Sequence, residues 1–116
     1  MSDKVLTKDS DALICVLYKA YLERRKGGTD KDEAKFFGDA PQIHETYMPK
    51  WSFDRVNEAC FELKHAGYLD AFCGDNMVCC AFISDLGILY MENRFSNDVS
   101  GVLDFLAKIK GAIPFA

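Results

Sequence analysis

Five cysteines and two histidines are the residues of this chain best able to hold a metal or act as a nucleophile and its base. They are Cys15, Cys60, Cys73, Cys79 and Cys80, with His44 and His65. A zinc centre wants four ligands, usually in closely spaced pairs. No cysteine pair here has Cys-x-x-Cys spacing, and the nearest set, Cys73, Cys79 or Cys80 with His65, is too scattered. The cysteines therefore read as reduced thiols serving as small apolar residues. On a strand, the adjacent Cys79 and Cys80 would point to opposite faces. His44 reads as the more exposed histidine, and no serine or cysteine stands at a spacing that would make it a catalytic base. Asp30, Asp32 and Glu33 crowd together as the acids of a helix start do. No glycine-rich phosphate loop is present. These residues point to a protein without catalysis, metal or cofactor.

The remaining chemistry is phosphate binding. Arg24-Arg25-Lys26 is the strongest positive cluster. It reads as a helix end that complements the macrodipole, with a phosphate contact as the sharper alternative. Lys31, Lys35, Lys50, Arg55 and Lys64 would make a basic stripe if the fold gathered them, and Arg55 with Asn57 could then read base edges. Charge opposes this. The whole chain of 116 residues carries −4, with a pI near 5.1. Over residues 52–66, Arg55 and Lys64 face Asp54, Glu58 and Glu62, and residues 68–83 add Asp70 and Asp75 with no Lys or Arg. Nucleic-acid binders are expected to show a basic footprint instead.

The elements that must position these residues centre on residues 51–92. Ser52 caps a helix over residues 52–66, with Trp51 and Val56 at the spacing of a hydrophobic staple. Phe53, Val56, Cys60 and Leu63 form its inner stripe, and Gly67 stops it. Residues 68–73 and 77–83 read as strands around the turn Gly74-Asp75-Asn76. Ser84 or Asp85 caps a helix over residues 85–93, with Leu86, Leu89 and Tyr90 turned inward. Upstream, Asp9, Ser10 or Asp11 caps a helix over residues 9–25, after a frayed tail. That helix carries one apolar stripe through Leu13, Val16, Leu17, Ala20 and Tyr21, and a second through Ile14, Tyr18 and Leu22. A helix apolar on two faces is central or shared between subunits. Residues 30–38 read as a short helix anchored by Ala34, Phe36 and Phe37, and residues 42–47 as one further turn. Residues 98–110 read as the last helix, with Phe105 off its main stripe. Ile14, Tyr18, Leu22, Val102, Phe105 and Ile109 are the candidate seam of a homodimer. Phe36, Phe37, Tyr47, Trp51, Phe53 and Phe61 either fill the core or line a pocket at that seam.

Glu62-Leu63-Lys64-His65-Ala66-Gly67-Tyr68-Leu69, followed by Ile83-Ser84-Asp85-Leu86-Gly87-Ile88-Leu89-Tyr90-Met91-Glu92-Asn93, resembles the signature of bacterial winged-helix proteins. The stretch from Glu92 through Lys110 to Pro114 is more narrowly similar to the YjcQ-like family, small proteins of Gram-positive bacteria and their prophages with no assigned reaction. Ser84 stands where the signature has threonine, and the Cys79-Cys80 strand departs from it. The resemblance implies an α+β, mostly α fold: a winged helix-turn-helix with three short helices, a two-stranded wing and two C-terminal helices, in one domain. It implies a DNA-binding or transcription-regulatory protein. The acidic middle of the chain favours the alternative, a protein-interaction module on the same scaffold. No apolar run approaches the ~20 residues that span a bilayer, and the charged start lacks a signal-peptide core. A cytoplasmic protein is expected, with DNA or another protein as partner.

Overall fold

Local signals set most of the element boundaries. In the computed structural model, which describes residues 6–74, 76–95 and 99–108, the order is α1 Lys8–Lys26, α2 Lys31–Lys35, β1 Phe36–Gly38, α3 Ala40–Tyr47, α4 Phe53–Ala66, β2 Leu69–Gly74, β3 Met77–Ile83, α5 Asp85–Phe95 and α6 Val99–Lys108. The fold is α+β and mostly helical, with one small antiparallel sheet. Among the described residues no helix is long and apolar enough to cross a membrane.

The expected caps appear in α4. The Ser52 hydroxyl accepts the Arg55 amide at 3.2 Å, and Gly67 adopts φ 87° beyond the last turn. Trp51 and Val56 are both buried, as a staple requires. At α1 the cap is Thr7, which accepts the Ser10 amide, and not Asp9, Ser10 or Asp11. Both aspartates are drawn instead into ion pairs with distant arginines. Leu6 packs against the core, so the part of the expected tail that is described belongs to the fold.

The expected helix over residues 30–38 is corrected. It ends at Lys35, and Phe36–Gly38 is a strand. Phe36 pairs with Phe82 and Gly38 with Ala81, so the hairpin acquires a third strand in the order β1-β3-β2. Gly38 has φ 83°, and a Cβ there would overlap the Gln42 side chain. Only glycine makes that turn into α3 without strain. The break expected over 38–41 is shorter, because Asp39 caps α3 by accepting the Gln42 amide at 2.8 Å and Pro41 fits its first turn.

α1 is the central helix. Ala12 through Tyr18 are all buried, as are Tyr21 and Leu22. α4 and α6 pack on it most extensively, with α2 and α5 beside them. Its second stripe is thus covered by the chain's own elements. On the other side of the molecule, Leu69, Val78, Ala81 and Ile83 turn from the sheet into the same core.

α5 reverses one expectation. Leu86 and Leu89 are about half exposed, and Gly87, Ile88 and Met91 are buried. Gly87 explains the rotation: a Cβ on it would lie 2.3 Å from the Tyr68 carbonyl oxygen. The backbone of α5 therefore rests directly on the head of β2, and that contact turns residues 86 and 89 outward. Tyr90 is half-buried and stacks on Tyr68 with centroids 4.4 Å apart. Ser84 locks the junction. Its hydroxyl donates to the Gly67 carbonyl at 2.7 Å and accepts the Gly87 amide at 2.9 Å.

The candidate nucleic-acid surface and the strand edge beside it

α4 is the helix that would meet a base edge, since it is the second of two successive helices and precedes the hairpin. Its two base-reading candidates are committed elsewhere. Arg55 donates through Nε and Nη2 to the Asp9 carboxylate at 2.8 and 2.9 Å. The same guanidinium lies 4.1 Å from the Trp51 ring centroid. These hydrogen bonds hold the Asp9 carboxyl below the usual carboxylate range, burial opposes them, and the guanidinium charge adds to the lowering. Asn57 is spent at both ends of its amide. Its Nδ2 donates to the Asn76 carbonyl at 2.9 Å, and its Oδ1 accepts the Val78 amide at 3.2 Å. Asn57 therefore pins the hairpin turn to α4.

Two of the other cations are paired with a different carboxylate. Lys31 and Lys35 both approach Asp85, at 3.8 and 2.8 Å. The hydrogen bond to Asp85 pushes Lys35 up and Asp85 down. Lys50 is exposed in the turn between α3 and α4, and Lys64 is half-buried near the end of α4. Three of the five cations of the expected stripe, Lys31, Lys35 and Arg55, are thus paired with carboxylates. What α4 exposes is Asp54, Glu58 and His65. Glu62 accepts the Thr7 hydroxyl at 2.6 Å.

The basic end of α1 is also structural. Arg24 donates to the carbonyls of Ala34 and Phe36, at 3.0 and 2.7 Å, and to the Tyr47 hydroxyl at 2.8 Å. It lies 4.4 Å from the Phe37 ring centroid. It braces α2 and β1 to α1, while Arg25 and Lys26 are exposed in the last turn, as the helix-end reading expects. Arg25 reaches the Thr29 carbonyl at 3.0 Å.

Four of the six side chains assigned to a seam between copies lie inside one chain. Ile14, Tyr18, Leu22 and Val102 are buried. Phe105 is half-buried, packed on Phe95 at 5.8 Å between centroids and under Arg94 at 4.2 Å. Arg94 is itself anchored by Asp11 at 2.5 and 3.2 Å. Ile109 lies outside the described residues. Of the six aromatics considered for a pocket, Phe37 and Trp51 are buried, Tyr47, Phe53 and Phe61 half-buried, and Phe36 42% exposed. Two surface clefts, of about 330 and 280 Å³, are lined by none of the six.

The cysteines divide. Cys15 and Cys60 are buried, and burial pushes both thiols up to about 12. They behave as the small apolar residues expected. Cys73 and Cys79 are exposed and Cys80 is half-buried, contrary to that expectation. Phe72 pairs with Cys80 and Cys73 with Val78, so Cys79 is the extra residue of a bulge. Alternation is broken there, and neither Cys79 nor Cys80 reaches the core. Among the described residues no group of three or more His, Cys, Asp or Glu could hold a metal. His44 is half-buried, its Nε2 2.6 Å from the Trp51 carbonyl, and His65 is the more exposed of the two.

Two features carried no expectation. The first is the apolar surface of Phe72, Leu86 and Leu89, which are 68%, 53% and 52% exposed. The second is the outer edge of β2, which the order β1-β3-β2 leaves unpaired among the described residues. The alternation of Asp70 and Phe72 with Leu69 and Ala71 was visible in sequence, but which strand lies at the edge depends on β1. Comparison with family models, with curated proteins and with solved structures found no match.

Proposed function

We propose that this chain is a non-enzymatic module of winged-helix type that acts by binding another protein, not by reading duplex DNA. The order helix, strand, helix, helix, hairpin supports the scaffold. α3 and α4 would be its helix-turn-helix pair and β2–β3 its wing, with β1 completing the sheet. One observation carries the functional choice: Arg55 and Asn57 each make two internal hydrogen bonds, which hold α4 to α1 and to the hairpin. A bidentate base contact through the same atoms would have to break these internal hydrogen bonds, each costing about 0.5–3 kcal/mol depending on charge. The exposed Asp54 and Glu58 would then face phosphate oxygens. The winged-helix resemblance argues for DNA, but fold and function separate readily.

Fluorescence anisotropy with a labelled mixed-sequence duplex in 50 mM salt tests the choice. Even non-specific binders reach Kd values of about 10⁻⁴–10⁻⁶ M at physiological salt and bind more tightly below it. The expected result is no saturable signal up to about 100 µM protein. Micromolar binding that weakens steeply with salt would restore the DNA reading.

A further inference from the structure

The outer edge of β2 is built to receive one more strand. Ser84 donates its amide to the Tyr68 carbonyl at 3.1 Å, which marks Tyr68 and Ser84 as a hydrogen-bonded pair. Hydrogen-bonded pairs recur at every second residue of an antiparallel ladder. Asp70 and Phe72 therefore direct their backbone groups toward β3, opposite Phe82 and Cys80. Leu69, Ala71 and Cys73 direct theirs away from the sheet. Among the described residues no strand pairs with that side of β2.

Exposed strand edges are normally blunted by lysine, proline, a bulge or a covering segment. The sequence of β2, Leu-Asp-Ala-Phe-Cys-Gly, has neither lysine nor proline, its one charge is Asp70, and the bulged residue lies on β3. Phe72, the most exposed large apolar side chain described, stands on this edge. Leu86 is exposed near the head of the strand: its Cδ2 is 3.2 Å from where a Cβ on Gly67 would sit. Leu89, one turn on, is exposed beside it. A strand laid along β2 would gain backbone hydrogen bonds from the sheet and apolar contact from these side chains.

Charge identifies the occupant. Asp70 is exposed, beside Phe72 on the outer face, and it makes no ion pair among the described residues. Its neighbour Lys35 is bound to Asp85. A second copy of the chain answers this poorly. Self-pairing about Asp70 sets the two carboxylates opposite each other, which is destabilising. Self-pairing about Ala71 or Phe72 brings neither Asp70 a cation beyond Lys35, which is hydrogen-bonded to Asp85, and either register brings together two chains of net −4.

We propose that the β2 edge binds an extended segment of another protein by strand addition, the segment placing a basic side chain opposite Asp70 and an apolar one opposite Phe72. This is the backbone-driven mode in which alternate side chains give specificity. It rests on the protein-binding reading and names the chemistry of the partner.

The test is selection of random seven-residue peptides against the immobilised full chain, followed by hydrogen exchange with an enriched peptide. Enriched sequences should carry basic and apolar residues two positions apart. The bound peptide should slow exchange at Leu69, Ala71 and Cys73 while leaving Asp70 and Phe72, already bonded to β3, unchanged. Phe72→Lys should weaken binding at least tenfold, and Asp70→Lys should shift selection to acidic peptides. Both sites are exposed, and an unchanged amide spectrum shows that the variants fold. Enriched peptides without the alternation, equal binding by both variants, or protection elsewhere would overturn the proposal. So would protection of the same amides that rises with the concentration of the chain alone, which would make the occupant a second copy. Duplex binding alongside intact peptide binding would remove the preceding reading and leave this one standing.

Discussion

α4 and β2 are consecutive elements joined at Gly67, yet they dispose of their polar groups in opposite ways. α4 has turned Arg55, Asn57 and Glu62 back onto the fold, where each holds another element in place. β2 is fixed at its head by Tyr68 and Ser84, and along its outer side Leu69, Ala71 and Cys73 remain without a strand partner among the described residues. Two of the side chains that a DNA reader would use, Arg55 and Asn57, serve the fold. Unused hydrogen-bonding capacity lies one element further on, in the backbone. A polar side chain adds recognition only when the fold does not depend on it.

The sharpest way to break this comparison is at Gly87, which seats α5 on the head of β2. A methyl group there would meet the Tyr68 carbonyl at 2.3 Å, and that partner is backbone and cannot rotate away. Gly87→Ala should therefore cost about 3 kcal/mol, the upper range for overpacking. That is a large part of the roughly 5–15 kcal/mol holding a domain of this size. Urea denaturation should show a lower midpoint with the slope kept. A loss under about 1 kcal/mol would mean that α5 does not rest on β2 as described.

The same junction shows how far the sequence could be read. Ser52, Gly67 and Ser84 were legible because caps and stops act within three or four residues. The hairpin was legible for the same reason, its turn residues lying between two runs of β-formers. The rotation of α5 was not, because the helical period allows Leu86 and Leu89 inside as readily as Ile88 and Met91. Only the close approach of Gly87 to Tyr68 decides between them. β1 was hidden in a different way. Three residues after a five-residue helix carry no period, and Phe36 and Phe37 read as helix anchors until Phe82 and Ala81 offer a strand to pair with. Three members of the basic stripe, Lys31, Lys35 and Arg55, are drawn to carboxylates distant in sequence. Asp9 precedes Arg55 by 46 residues, and Asp85 follows Lys35 by 50. Spacing in sequence cannot show which carboxylate a cation will find.

The next effect in size belongs to Asn57. Replacing it with alanine strips the Val78 amide of its acceptor and the Asn76 carbonyl of its donor. The Val78 side is part-buried, so its amide would be left partly unsatisfied. A loss of about 1–2 kcal/mol is expected. Because the tie joins α4 to the hairpin turn, exchange should quicken first at Met77 and Val78 and much less in α1. If Asn57 were instead kept for contact with a partner, Asn57→Ala would leave stability unchanged, and the contrast between the two elements would fail.

The smallest effect, and the one with a defined sign in pH, is at Asp9. Its carboxyl is held low chiefly by the Arg55 hydrogen bonds, so its folded pKa lies below the unfolded value of 3.8. Such a group contributes stability that is fully present above the unfolded pKa and is lost as pH falls through the folded one. The two side chains are 33% and 39% exposed, and solvent screening limits the contribution to about 0.5–1 kcal/mol. Asp9→Asn should lower stability by that amount at pH 7. The difference from the original chain should shrink below about pH 4 and vanish once both pKa values are passed. Denaturation of both proteins from pH 7 down to pH 2 would trace it. A difference that persisted undiminished at pH 2 would mean that Asp9 acts through packing or the helix start. The claim that Arg55 is immobilised by charge would then lose its support, and α4 would again have a cation to offer to DNA.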